Sequence, residues 1–268
     1  MRRTVLLLIA AAWLAPPVAA FAEARTIPRA DGVMVPVRLA GDWAAPGCPP
    51  VLILSHGLGG DERALGWMDA AAAAAGFRVL AMAHAASGPA ALRQVARAAD
   101  RVAALHAPAI WAGRAADLDA AVAFATAACR PAPFVLGGHS MGAALTMAEA
   151  GAAARFPYVG RDRFDAYIAV SPQGEGWAIG PAAWAGVRRP VLMMTGTRDD
   201  GPDGNWTTRL AAFDGLPPGR KRLAVIAGAT HLDLGGRRMP APVRDAAPAV
   251  AAAFLPAVRR GGPQPGRS

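Results

Sequence analysis

The strongest constraint on the fold is an alternation between short apolar runs and longer alanine-rich stretches, which begins near Val51. Each apolar run ends in small or polar residues, and each long stretch is rich in strong helix formers. Such strand-helix repeats predict an α/β chain built around a mostly parallel sheet. The predicted strands are Val51–Leu54, Phe77–Ala83, Phe134–Leu136, Ala166–Val170, Val191–Thr195 and Leu223–Ala227, preceded by one or two strands that include Val33–Leu39. The predicted helices are Asp61–Ala75, Asp117–Ala128, Met141–Ala153 and Asn205–Phe213.

The first 22 residues have the pattern of a cleaved signal peptide. Arg2-Arg3 precede an apolar run that starts at Val5, and small residues follow up to Ala22. Pro16-Pro17 interrupt the apolar run, which is shorter than the roughly 20 residues that a spanning helix needs. We therefore expect a secreted or periplasmic protein with no membrane anchor after cleavage, and a retained anchor is the alternative.

The rest of the chain has the length of one large domain. Its 268 residues, less the signal segment, leave too few for two ordinary domains. We expect a single domain at residues 23–258 and a flexible tail at residues 259–268, where glycine, proline and arginine accumulate.

The formal net charge of +9 does not by itself indicate a nucleic-acid partner. The arginines are scattered in short clusters, and no basic stripe interleaved with aromatic residues accompanies them. The sequence shows no metal-ligand cluster, no phosphate-binding glycine loop and no dinucleotide fingerprint. We therefore expect no cofactor, no metal and no nucleic acid, and a small molecule as the partner.

The polar and glycine-rich motifs of the chain lie where the predicted strands end. In an open parallel sheet, ligands bind beyond the carboxyl ends of the strands. The motifs in question are His56-Gly57-Leu58-Gly59-Gly60, called the His-Gly loop below, Gly138-His139-Ser140-Met141-Gly142, Gly196-Thr197-Arg198-Asp199 and Ala229-Thr230-His231. The sequence therefore predicts that they meet at one edge of the sheet.

The second of these motifs fits G-x-S-x-G and stands directly after a predicted strand and directly before a predicted helix. This context is typical of a nucleophilic serine on a sharp strand-to-helix turn, where the two glycines avoid collisions with neighbouring backbone. Ser140 is therefore the candidate nucleophile. The alternative is a glycine-rich turn whose serine caps a helix.

The order of His-Gly loop, nucleophile turn, acid and histidine resembles the α/β-hydrolase superfamily over roughly Val51 to Leu234. Within it, the motifs are similar to those of secreted serine esterases of the dienelactone-hydrolase-like and platelet-activating-factor-acetylhydrolase-like kinds. The resemblance implies the α/β-hydrolase fold, a mostly parallel central sheet flanked by helices with a short cap region, and a catalytic domain at residues 23–258.

The resemblance also implies a catalytic triad in the chain order Ser, Asp, His. His231 is the only histidine after Ser140 and is the expected base. Asp199 follows the fifth predicted strand and is the expected acid, with Asp200 and Asp203 as close rivals. The backbone amides of Leu58 and Met141 are the expected oxyanion hole, and His56 is expected to hold the His-Gly loop in place.

We expect this site to cleave carboxylic esters through an acyl-enzyme. The same triad serves amidases and peptidases, and an inactive hydrolase-fold binding protein is a further alternative. The segment Ser171–Pro190 is too short for a large helical lid, which predicts an open cleft for short or extended acyl chains. His84, which follows the second predicted strand at the same edge of the sheet, Trp177 and Trp184 are candidates for lining that cleft. Ordinary packing is the favoured alternative for His84 and an equal alternative for the two tryptophans.

The only two cysteines, Cys48 and Cys129, precede the strands of the His-Gly loop and of the nucleophile turn. In the superfamily that the chain resembles, these two strands are neighbours. The cysteines are therefore a candidate disulfide at the amino-terminal edge of the sheet, as expected in an oxidising compartment. Two reduced, buried cysteines are the alternative.

Overall fold

A computed structural model describes residues 22–94, 107–176, 178–201 and 204–261. They form an eight-stranded sheet in the order β1-β2-β4-β3-β5-β6-β7-β8, flanked by helices. The strands are β1 Glu23–Pro28, β2 Met34–Ala40, β3 Val51–Ser55, β4 Arg78–Met82, β5 Phe134–His139, β6 Ala166–Val170, β7 Val191–Arg198 and β8 Lys221–Thr230. The helices are α1 Asp69–Ala74, α2 Pro89–Gln94, α3 Pro108–Thr126, α4 Met141–Glu149, α5 Leu210–Gly215, α6 His231–Leu234 and α7 Ala241–Arg259.

The pairing of the strands is parallel from β4 to β8 and antiparallel only at the edge formed by β1 and β2. Every residue of β3, β5 and β6 is buried, because helices cover both faces of the central sheet. The predicted mostly parallel sheet and all six predicted parallel strands are confirmed. β7 and β8 are longer than predicted. The strands predicted before Val51 are β1 and β2.

The apolar core forms two layers, one on each face of the sheet. Ile53 and Leu136 face the layer formed by α3 and α4, whereas Leu52 and Val135 face the layer formed by α1 and α7. This alternation follows from the two-residue side-chain period of a strand. It also explains why the central strands read as continuous apolar runs.

The helices differ more from the prediction than the strands do. The predicted helix Asp61–Ala75 is shortened to a 3-10 turn and α1, because Leu65 adopts a left-handed φ of 62° just before that turn. α3 begins at Pro108, nine residues before the predicted start, with proline in its first turn. Alanine lies on all sides of this helix, so its polar and apolar faces are poorly distinguished in the sequence.

The C-terminal helix α7 was absent from the predicted elements. Its apolar side packs on α1, and the Arg259 side chain donates to the carbonyl of Ala75, 3.0 Å away. Arg259, which was expected to start a flexible tail, therefore belongs to this helix. Residues 262–268 of the expected tail lie outside the described residues. None of the described helices combines the length and the apolar character needed to cross a bilayer.

The structure pairs Cys48 with Cys129 in a disulfide whose Cα atoms are 5.9 Å apart. β3 and β5 are neighbours, with Val51 opposite Phe134, so both cysteines precede adjacent parallel strands. The bond lies at the amino-terminal edge of the sheet. Motifs at the carboxyl ends of the strands are at the opposite edge.

Candidate active site

Ser140 lies between the end of β5 and the start of α4, in a backbone conformation that side chains rarely adopt. Its φ is 53° and its ψ is −117°, and its N–H donates to the Val170 carbonyl, 3.0 Å away. A Cβ on Gly142 would lie 2.0 Å from the Ser55 carbonyl oxygen, and a Cβ on Gly138 would lie 2.2 Å from the Gly142 oxygen. Glycine is required at both positions because backbone atoms fill the space, so the two glycines allow the close packing of the turn that holds the serine.

His231 lies directly after β8, with its ring between Ser140 and Asp199. Its Nε2 is 3.0 Å from the Ser140 Oγ, and its Nδ1 is 2.7 Å from Oδ1 of Asp199. A carboxylate can only accept, so Nδ1 carries the proton and Nε2 presents its lone pair to the serine hydroxyl. The three predicted triad residues are therefore joined by hydrogen bonds in the order expected of a nucleophile, a base and an acid.

A short capped helix sets the position of His231. The Thr230 side chain accepts from the Asp233 N–H, and the Asp233 carboxylate accepts from the Thr230 N–H at 2.9 Å. This reciprocal capping box starts α6 at the histidine. The Asp233 carboxylate therefore binds the backbone of Thr230 and not the ring of His231, although Asp233 is only two residues from His231 in the sequence.

Asp199 is fully buried, and its carboxylate is held by several neighbouring side chains. Besides His231, Thr195 Oγ1 donates to Oδ2 at 2.9 Å, and Arg209 Nε lies 3.2 Å from Oδ1. Burial raises the pKa of the Asp199 carboxyl, but the His231 hydrogen bond and the Arg209 charge outweigh it, so that pKa is below its ordinary value. The carboxylate is therefore held ionised. The rival Asp200 is exposed and accepts from the Trp206 N–H, and Asp203 lies outside the described residues.

Arg209 is a component of the site that sequence reasoning missed. It is fully buried in a 3-10 turn before α5, donates through Nε to the Asp199 carbonyl at 2.9 Å, and donates through Nη1 to the Pro172 carbonyl at 3.0 Å. Its Nη2 is 3.3 Å from His231 Nδ1. Nothing in the local sequence indicates that this arginine is buried, because most arginines in predicted helices are solvated.

His139 supports His231 from the nucleophile turn. Its ring centroid is 4.7 Å from that of His231, and its Nε2–H donates to the His231 carbonyl at 2.9 Å. Burial, followed by the neighbouring His231, lowers the pKa of His139 to about 3, so its ring is neutral. His139 therefore acts as a hydrogen-bond donor to the backbone of His231.

The His-Gly loop lies against the nucleophile turn. A Cβ on Gly57 would come within 3.0 Å of the Ser140 Cβ, so only glycine allows the loop this close. Leu58 follows in the loop and is half-buried, and Met141 begins α4. The two backbone segments predicted to supply the oxyanion hole therefore flank Ser140. The ring of His56 lies behind them, buried, with its Nδ1–H donating to the Gly57 carbonyl at 2.6 Å.

Two of the residues predicted to line the cleft do not do so. His84 has no exposed surface and is hydrogen-bonded between Ser55 and Asp117, so it is part of the interior. Trp184 is 1% exposed and belongs to the core, where it packs closely against Gly215. For both, the prediction of a cleft residue is wrong, because neighbouring residues bury the two side chains. The third candidate, Trp177, lies outside the described residues.

A cavity of about 230 Å³ opens beside the His-Gly loop. Its lining includes Gly57, Leu58 and His139 together with the charged residues Asp61 and Arg237. The segment Ser171–Pro190 contributes only a four-residue 3-10 turn, Ala183–Gly186, as regular helix. Within the described residues, no group of three or more His, Cys, Asp or Glu side chains is placed to hold a metal ion.

The chain was compared with known proteins by sequence and by structure. No protein-family model and no curated protein matches its sequence. Solved structures do match its fold. The dienelactone hydrolase of Anabaena variabilis superposes with a TM-score of 0.61 at 17% identity, over 88% of this chain and 97% of that one. The esterase Pf2001 of Pyrococcus furiosus gives 0.59 at 14% identity, over 88% and 94%.

A third solved structure, Est1E from Butyrivibrio proteoclasticus, gives a TM-score of 0.60 at 16% identity, over 87% of this chain and 97% of that one. Each likeness covers nearly the whole of the matched chain, and identities this low bear on the fold alone. Together with the sheet order and the strand-to-helix turn at Ser140, they confirm the predicted architecture. The chain has the α/β-hydrolase fold.

Proposed function

We propose that this protein is an exported serine hydrolase that cleaves carboxylic esters. The observation that carries the proposal is the hydrogen-bonded series from Ser140 Oγ to His231 at 3.0 Å and from His231 to the buried Asp199 at 2.7 Å. These three side chains come from three different strand ends of the sheet. Such a series on a strained strand-to-helix turn serves to activate a serine.

The chemistry follows from these contacts. Ser140 Oγ attacks the ester carbonyl carbon while its proton passes to His231 Nε2. Asp199, held ionised, stabilises the imidazolium that forms. Collapse of the tetrahedral intermediate breaks the bond to the alcohol oxygen, which takes the proton from His231 and leaves an acyl-Ser140. A water molecule, deprotonated by His231, then attacks the acyl carbon and releases the acid and the free serine.

The oxyanion of each tetrahedral intermediate needs donors that are already in place. The amides of Met141, at the start of α4, and of Leu58, in the His-Gly loop, are the proposed pair. One such donor contributes about 3 to 4 kcal/mol of transition-state stabilisation in enzymes of this type. The amino-terminal end of α4 adds its positive dipole on the same side.

The shape of the site supports a small or extended acyl group. The cavity beside Leu58 is about 230 Å³, which is smaller than most ligand cavities. Of the described residues in the segment Ser171–Pro190, only Ala183–Gly186 is helical, which is too short for a large lid. Short-chain esters should therefore be better substrates than long-chain ones.

Two features support export to the periplasm or the medium. The first 22 residues have the pattern of a signal peptide. The disulfide between Cys48 and Cys129 belongs to a class of bond that persists mainly in oxidising compartments.

The proposal is tested by hydrolysis of p-nitrophenyl acetate, butyrate, octanoate and palmitate by the purified protein, beside Ser140→Ala. We expect turnover of the short esters, a loss of at least about 10³-fold in the variant, and covalent labelling of Ser140 by a fluorophosphonate. Met147→Leu, a buried volume-conserving change further along α4, is the matched control and should keep its activity. A wild-type protein inactive on all four esters and unlabelled by the probe would show that the esterase proposal is wrong.

A further inference from the structure

A second set of serine, histidine and aspartate lies inside the protein, behind the His-Gly loop. Ser55 Oγ is 2.9 Å from His84 Nε2, and His84 Nδ1 is 2.9 Å from Asp117 Oδ2. These distances resemble those of Ser140, His231 and Asp199. Ser55 and His84 have no exposed surface, so no substrate carbonyl can reach this hydroxyl. The second set must therefore have a use other than nucleophilic attack.

The ion pair of Asp117 with Arg29 sets the direction of the protons in the second set. Arg114 Nη2 donates to Ser55 Oγ at 3.0 Å. The serine hydroxyl donates to the lone pair of His84 Nε2, because the other ring nitrogen carries the proton. His84 Nδ1–H then donates to Asp117, whose other oxygen lies 3.2 Å from Arg29 Nη1. Burial, followed by the charge of Arg114, keeps the pKa of His84 well below its ordinary value, which suits this neutral ring. Ser55, His84, Asp117 and Arg114, the buried array, thus form one connected hydrogen-bonded network.

Arg114 connects the buried array to the His-Gly loop at two places. Its Nη2 donates to the carbonyl of His56, at the beginning of the loop. Its Nη1 donates to Ser87 Oγ at 2.6 Å, and the Ser87 carbonyl accepts from the Gly59 N–H at 2.7 Å. The fully buried guanidinium therefore holds the loop on both sides of Leu58.

The same network sets the direction of the peptide between Gly57 and Leu58. The His84 N–H donates to His56 Nε2 at 2.8 Å, which leaves the His56 Nδ1–H to donate to the Gly57 carbonyl at 2.6 Å. In a planar trans peptide, the N–H points away from the carbonyl oxygen. Fixing the Gly57 oxygen on the buried side therefore turns the Leu58 N–H away from the interior.

We propose that Arg114 is a positioning residue of the ester-cleaving site, which fixes the His-Gly loop so that the Leu58 amide is directed at the oxyanion before substrate arrives. The inference rests on the proposed function of Ser140. It assigns the buried array a role in aiming an oxyanion donor. No atom of Arg114 touches the substrate.

The test uses Arg114→Met, Arg114→Lys and Ser87→Ala in the full chain, with p-nitrophenyl butyrate and with butylboronic acid, which forms a tetrahedral adduct with an active serine. A misdirected oxyanion donor weakens tetrahedral species and leaves ground-state binding almost unchanged. We expect kcat to fall about 10- to 100-fold in Arg114→Met and about 3- to 10-fold in Ser87→Ala, with KM changed less than about threefold. The boronate inhibition constant should rise by the factor by which kcat/KM falls. Arg114→Lys should not restore kcat, because one ammonium group cannot replace the two NH2 groups of the guanidinium, which donate to different acceptors.

Arg163→Met is the matched control. Arg163 is also mostly buried and ion-paired, with Glu149 at the far end of α4, so its loss should reduce stability and leave the boronate constant unchanged. If Arg114→Met does not fold, Arg114→Lys and Ser87→Ala decide the question. Folded variants that keep kcat and the boronate constant within twofold of an active wild type would overturn the role of Arg114 and leave the esterase proposal standing. A wild type that neither cleaves the ester nor binds the boronate would overturn both.

Discussion

Replacing both Cys48 and Cys129 by serine should lower the free energy of unfolding by about 4.5 kcal/mol at 25 °C. The bond joins residues 81 positions apart. Closing a loop of that length in the unfolded chain removes about 15 cal/mol/K of entropy, from a constant of about 2.1 and a length term of about 13, which is about 4.5 kcal/mol at 298 K. For a domain of this size, each kcal/mol shifts Tm by about 2 to 4 °C, so the variant should melt about 9 to 18 °C lower.

The measurement is urea unfolding at 25 °C and thermal unfolding of the Cys48→Ser, Cys129→Ser double variant beside the wild type. Ester hydrolysis well below Tm should be unchanged, because the bond lies at the amino-terminal edge of the sheet and Ser140 at the opposite edge. Wild type kept in dithiothreitol should unfold like the double variant. A stability loss below about 1 kcal/mol would contradict the loop-entropy reasoning, and a large loss of activity in the folded variant would contradict the separation of the two edges.

Two further predictions concern the site. Arg209→Met should lower stability at neutral pH and flatten its dependence on acid: the folded-state pKa of Asp199 lies below the ordinary 3.8, so its contribution to stability is complete above that pH and is lost as pH falls through the folded value. Without Arg209 the folded-state pKa of Asp199 should rise towards its unfolded value, so urea midpoints measured from pH 3 to 7 should fall less on acidification than those of the wild type, and an equally steep profile would count against the pair. Ser140→Gly should be about 1 to 2 kcal/mol more stable than Ser140→Ala in urea, because release of strain at φ 53° exceeds the glycine entropy cost. Ala144→Gly in α4, the control, should destabilise by about 1 kcal/mol.

The strands and the main site residues were predictable because each depends on local pattern. A buried parallel strand reads as an apolar run, and Ser140, Asp199 and His231 each stand where such a run stops. The flanking glycines at 138 and 142 mark the turn, since backbone atoms occupy the space beside them. The three side chains can then meet because β5, β7 and β8 end at the same edge of one parallel sheet.

What could not be predicted depends on contacts between distant segments. Arg209 reaches Asp199 from a 3-10 turn, and Arg114 reaches the His-Gly loop from α3, which begins nine residues earlier than its sequence suggested. Arginines in helical stretches are usually solvated, so neither residue carries a signal of burial. His84 was assigned to the cleft because it ends a strand at the correct edge. Only its partners, Ser55 and Asp117, show that it belongs to the interior.

The protein therefore contains two Ser-His-Asp series with similar hydrogen-bond distances. The backbone around each serine indicates which of them can react with a substrate. Ser55 is the last residue of a regular strand, is fully buried, and its hydroxyl accepts from Arg114. Ser140 lies on a turn with a positive φ, at the start of a helix and beside the cavity-lining His-Gly loop. A serine hydroxyl that is already committed to a cation and cannot meet a carbonyl serves to lock a network. An accessible hydroxyl on a strained turn, beside the two proposed oxyanion donors, fits the nucleophile of the proposed function.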